Sequence, residues 1–131
     1  KTLCRGMNPI FMDPYDGVIL ETNAKWEAVR RALGSALALS ERVDLAAMAP
    51  HNELASTGYC LADPGRQYVV YLPKGGEVTL DLATAQGALA VEWFEPDQGR
   101  VTPGDAVPDG ATRKLTAPFA GDAVVRVWRR P

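Results

Sequence analysis

The alternation of apolar and polar positions changes period once along this chain, near residue 57. Upstream, 22-TNAKWEAVRRALG-34 places Trp26, Val29 and Leu33 at helical spacing and turns Lys25, Glu27, Arg30 and Arg31 elsewhere. That pattern predicts an amphipathic helix, with Thr22 or Asn23 capping its first turn and Gly34 closing its last. A second helix is expected over roughly 35–48, using Leu37, Val43 and Ala47 as apolar positions and ending before Pro50. Ahead of both, Ile10–Met12 reads as a brief strand running into a turn, because Pro9 and Pro14 push their preceding residues toward extended geometry.

Downstream the period becomes two. The run 67–72 is rich in β-branched and aromatic residues. The run 77–82 alternates cleanly, with Val78, Leu80 and Leu82 on one face and Glu77, Thr79 and Asp81 on the other. One buried and one wet face are expected for that strand. The segments 63-DPGR-66 and 73-PKGG-76 carry glycine where a hairpin needs positive φ. Further strands are expected at about 88–94, 114–117 and 123–128, separated by 95-EPDQGR-100 and by the Pro/Gly-rich 102-TPGDAVPDGAT-112. The fold class is therefore mainly β, an antiparallel β-sandwich of about six to eight short strands preceded by a short helical segment. The polar, turn-rich stretch 49–57 supplies the boundary, with one region over 1–54 and the sandwich over 55–131. A sandwich of that size has a marginal core, so a helix packed on one of its faces would help it.

Composition narrows the class of partner. The 131 residues carry 14 Lys and Arg against 16 Asp and Glu, a formal charge of −2, and 47% of the residues are hydrophobic. These values fit a packed globular domain and give no electrostatic footprint for nucleic acid or for a membrane surface. The sole basic cluster, 126-RVWRR-130, reads as the solvated end of a last strand. No apolar run reaches the length of a membrane helix. Cys4 and Cys60 belong to no CxxC pair or metal-ligand cluster, so buried free thiols are expected and neither a metal nor a cofactor is. The chain starts without an initiator methionine, which reads as a cut upstream.

Chemistry is sparse. His51, the single histidine, sits in a turn-rich linker with no nucleophile signature beside it. Asp13 and Asp16 in MDPYD follow an apolar run, where functional loops of barrel proteins begin, though an Asp-rich turn between prolines is usually only a turn. Glu92, Glu95 and Asp97 flank Trp93 and Phe94. Trp93 is a glycan-stacking candidate there, weighed against a core position on an alternating strand. No residue is assigned a catalytic role.

The segment 53-ELASTGYCLADPGRQYVVYLPKGGEVTLDL-82, together with 91-VEWFEPDQGR-100 and the apolar strand near Trp128, resembles the module named the putative collagen-binding domain. That module closes bacterial glycoside hydrolase-like proteins of the apiosidase-like, (β/α)-barrel type. The stretch 6-GMNPIFMDPYDG-17, the WEAVRRALG helix and 43-VDLAAMAP-50 are similar to the end of such a barrel and its connection to the module. The resemblance implies a non-catalytic accessory domain that stabilises or shapes the barrel, with a glycan- or collagen-binding module as the alternative. It implies catalytic carboxylates upstream of Lys1, with Asp13, Tyr15 and Asp16 as substrate-cleft candidates. It further implies a secreted or periplasmic parent protein. The expected partners are the barrel of the same parent chain, carbohydrate, or a second copy of the fragment, with no nucleic acid and no membrane. The apolar run Ile10, Phe11 and Met12 is expected to be buried against the sandwich or in a homo-oligomeric contact.

Overall fold

The computed structural model describes residues 1–11 and 24–130. A short 3-10 turn over Leu3–Arg5 leads the chain, and helix α1 spans Ala24–Ser40. Eight strands follow: β1 (Ala49–Pro50), β2 (Cys60–Asp63), β3 (Gln67–Leu72), β4 (Gly75–Asp81), β5 (Leu89–Glu95), β6 (Arg100–Val107), β7 (Thr112–Ala120) and β8 (Ala123–Arg129). Six of them form one antiparallel sheet in the order β1-β2-β3-β8-β5-β6, and β4 and β7 pair as a second, two-stranded sheet. The fold is mainly β, an antiparallel sandwich preceded by a helix.

Each face of the larger sheet has its own cover. Tyr68, Val70 and Leu72 of β3, Val125 and Val127 of β8, and Leu89, Val91 and Trp93 of β5 point inward. They meet Val78, Leu80 and Leu115 from the smaller sheet, all of these side chains being buried. The intervening residues Val69, Phe94 and Val124 point outward and are covered by Cys4 and by Leu39 of α1. Central strands covered on both sides must be apolar at every position, which explains the unbroken YVVYL of β3 and the AVV opening of β8. Strand β4 is covered on one side only and so alternates: Val78, Leu80 and Leu82 are buried, Glu77 and Thr79 exposed, and Asp81 intermediate.

Three expectations need correction. The DPGR turn does join paired neighbours, β2 and β3, with Gly65 at φ +92°. The PKGG segment, in contrast, makes no hairpin, because β3 and β4 lie in different sheets and the turn carries the chain across the core. Gly75 there has φ +67°, and a Cβ on it would lie 2.5 Å from the Gly121 carbonyl oxygen, so the crossing needs glycine for space as well as conformation. Second, the stretch 102–112 is not a separator. Most of it is β6, whose Pro103 is tolerated because β6 is an edge strand bonded only to β5. Third, α1 runs through Gly34 to Ser40 without stopping, and Leu37 is 62% exposed rather than packed. Helix contacts override the local glycine: Ser35 Oγ donates to the Pro96 carbonyl at 2.7 Å and Leu39 is buried.

Edges are closed off in several ways. β1 has two residues and ends in Pro50, β6 carries Pro103, and β7 carries Pro118. The free edge of β4 is engaged by an Ala55–Leu80 bridge, with Ser56 N donating to Thr79 O and Thr79 N donating to Ser56 Oγ, both at 2.9 Å.

Candidate functional site

Because side chains alternate, the outward row of the larger sheet continues beyond the apolar patch that α1 covers. Register places Val69, Arg126 and Glu92 side by side on β3, β8 and β5, and Gln67, Trp128 and Ala90 in the next row. Where α1 and the segment after it stop, Gln67, Arg126 and Trp128 from these rows floor an open cleft of about 600 Å³. Its rim is completed by Arg42 and Asp44 from the segment after α1, Asp63 and Arg66 from the β2–β3 turn, and the chain end at Arg129 and Arg130.

The floor is organised by one carboxylate. Glu92, with a side chain only 12% exposed, accepts from Arg126 Nη1 at 3.1 Å and from Arg42 Nη1 at 3.3 Å. A carboxylate held this deep requires cationic partners, and two guanidinium groups supply them. Arg126 also lies over the Trp128 ring, its guanidinium carbon 4.1 Å from the centroid. The Nε–H of Arg126 is buried without a hydrogen-bond acceptor among the described residues. Gln67 is fixed from both ends, accepting from Asp44 N at 3.4 Å and donating to the Asp44 carbonyl at 3.3 Å. Arg66 is exposed by contrast, at 80%, and lies 3.8 Å from Asp63.

A smaller cavity, about 220 Å³, lies between the N-terminal turn, α1 and the sheet. Tyr71 donates to Asp122 Oδ2 at its edge, and Asp122 Oδ1 accepts from Lys74 N at 2.9 Å. These hydrogen bonds hold the Asp122 carboxyl below its usual range, while burial and the neighbouring carboxylate raise the Tyr71 phenol. Cys4 and Cys60 are both buried and unpaired; loss of water pushes their thiols up to about 11 and about 12.

Asp13, Tyr15 and Asp16 lie outside the described residues, as does Met12. Trp93 is 4% exposed between the two sheets, with its indole Nε1 3.2 Å from where a Cβ on Gly104 would sit, so it has no open face for a sugar. The aromatic that does border a cleft is Trp128. Of the apolar run, Ile10 is not packed on the sandwich, being 87% exposed, while Phe11 packs on Trp26 with ring centroids 5.5 Å apart. His51 Nδ1 is hydrogen-bonded to Glu53 at 2.9 Å. Among the described residues no cluster of metal-ligating side chains occurs, and no helix is long and apolar enough to cross a membrane. The basic tail 126–130 was visible in the sequence. Its gathering with Arg42 and Arg66 was not, although Arg126, Trp128 and Arg130 stand at strand period on one face.

With this fold in place, the likeness to other proteins is specific. The sequence model of a family described as "Putative collagen-binding domain of a collagenase" matches residues 47–126. The chain belongs to this family. No curated protein matches the chain significantly. Two solved structures share its fold, each at 13% identity with a TM-score of 0.68. One is a glycoside hydrolase family 5 protein from Bacteroides vulgatus, where the match covers 81% of this chain and 25% of that one. The other is described as a glycoside hydrolase, with 93% and 30% covered. The chain thus spans between a quarter and a third of the length of these structures.

Proposed function

We propose that this family member is the non-catalytic accessory end of a larger bacterial glycoside hydrolase, secreted or periplasmic, and that it braces the catalytic barrel. In this reading residues 1–54 are the end of the barrel and its connection, and residues 55–131 are the accessory domain. The observation that carries the reading is where apolar surface is left bare. Among the described residues the large exposed apolar side chains are Met7, Ile10 and Leu37, and all three precede the sandwich. Side chains of this kind are what the rest of the barrel would cover, and at roughly 25 cal/mol per Å² covering them is worth a few kcal/mol. The likeness to glycoside hydrolases several times longer than this chain supports a modular setting.

The test is thermal unfolding of the parent protein with and without residues 55–131. Loss of the sandwich is expected to lower the barrel transition by several degrees. An unshifted barrel transition overturns the bracing role. The chain alone should show no turnover on aryl glycosides and no retention on collagen. Turnover that disappears with Asp13→Asn or Asp16→Asn would instead make the MDPYD segment an active site.

A further inference from the structure

We infer that the cleft over Trp128 binds an acidic oligosaccharide, one whose sugar rings carry carboxylates. The inference is independent of the bracing role and rests on the cleft alone. Cationic side chains are concentrated here: five arginines face two aspartates on its lining, in a chain whose overall charge is −2. Guanidinium groups match carboxylates in geometry, each offering paired N–H donors.

Charge alone would admit any anion, and the remaining lining narrows the choice. Sugar hydroxyls both donate and accept, so a sugar site needs acceptors beside its donors. Asp44, Asp63 and the amide of Gln67 supply them. The basic groups form one cluster rather than a stripe, which disfavours a nucleic-acid backbone. Trp128, its ring stacked by Arg126, adds apolar surface to the lining, and the cleft volume of about 600 Å³ falls in the ordinary range for small-ligand sites.

The floor is arranged before any ligand arrives. Arg126 is held by Glu92 and by the indole, and Gln67 is held by two hydrogen bonds, so little side-chain freedom is lost on binding there. Arg66 and Arg129 at the rim are exposed and able to close on a carboxylate.

The experiment is calorimetric titration of the 131-residue chain with trimers of galacturonate, glucuronate, mannuronate and guluronate. Neutral galactose and glucose trimers, and a single-stranded DNA hexamer, are run beside them. At least one uronate trimer should bind, at least tenfold tighter than its neutral counterpart, and its binding should weaken with salt. The double variant Arg66→Gln, Arg129→Gln changes only exposed side chains and should keep the native Tm. It should lose about tenfold in affinity, the loss expected for one charge-assisted hydrogen bond. Trp128→Phe should also weaken binding, with quenching of tryptophan fluorescence by the ligand reduced. The proposal is overturned if no uronate trimer binds, if neutral and acidic trimers bind alike, if DNA binds more tightly than every sugar, or if the rim variant binds as the parent does.

Discussion

The two faces of the six-stranded sheet differ in what covers them. On the inner face, strands β4 and β7 lay a continuous apolar layer over β3, β8 and β5, and many of the side chains between them are fully buried. On the outer face, α1 and the N-terminal turn cover part of the surface through Leu39 and Cys4, and beyond that cover lie Glu92, Arg126 and Trp128. The same strands serve both faces at alternate residues. Stability and recognition are thereby separated by one step along the chain, so a change on the outer face can alter binding while the inner core stays intact.

Substitutions should expose this difference, beginning on the inner face. Leu80→Ala removes a fully buried side chain from the centre of the small sheet and is expected to lower unfolding free energy by about 3–5 kcal/mol, read from the urea midpoint. A loss under 1 kcal/mol would mean that the small sheet hardly matters to the core. On the outer face, Glu92→Ala leaves the poorly exposed Arg126 without its carboxylate. A smaller loss, about 2 kcal/mol, is expected in the same assay, together with a more salt-sensitive midpoint.

The two thiols report on the faces separately, since Cys60 belongs to the inner core and Cys4 to the outer patch. If the N-terminal cover lifts without global unfolding, Cys4 should be alkylated about tenfold faster than Cys60 at pH 8, as followed by peptide mass spectrometry. Equal rates would indicate that both faces open together. The smallest expected effect concerns pH. Asp122 has a folded pKa below its unfolded value, so its contribution is present above the ordinary aspartate range and is lost as pH falls through the folded value. Tyr71→Phe removes the hydrogen bond responsible and should flatten the acid limb of a plot of Tm against pH. Because Tyr71 is raised, the same variant should also resist the loss of stability that the parent shows as pH climbs above the ordinary tyrosine range.

What could be read in the sequence followed how local its cause was. The extent of β3 and the buried side of β4 were legible because burial on both faces, or on one, writes itself into consecutive residues. The crossing at 73–76 was not, since a glycine turn looks the same whether it joins neighbours or switches sheets. β6 was hidden by Pro103, which an edge strand tolerates and a central strand does not. For the cleft, Arg126, Trp128 and Arg130 could be seen at one period. Arg42 and Arg66 come from segments 84 and 60 residues away from Arg126, and they are brought together by the register of three strands and by the packing of the segment after α1 on Glu92.

The proline-bearing rims of the sandwich bear on how the molecule behaves in company. A sheet whose outermost strands are free to accept another strand invites polymerisation through the backbone. Here Pro50, Pro103 and Pro118 each withhold a donor on an outer strand, and Ser56 occupies part of the rim that β4 would otherwise offer. Backbone pairing between copies is thereby disfavoured at these rims, and contacts with other molecules are left to side chains.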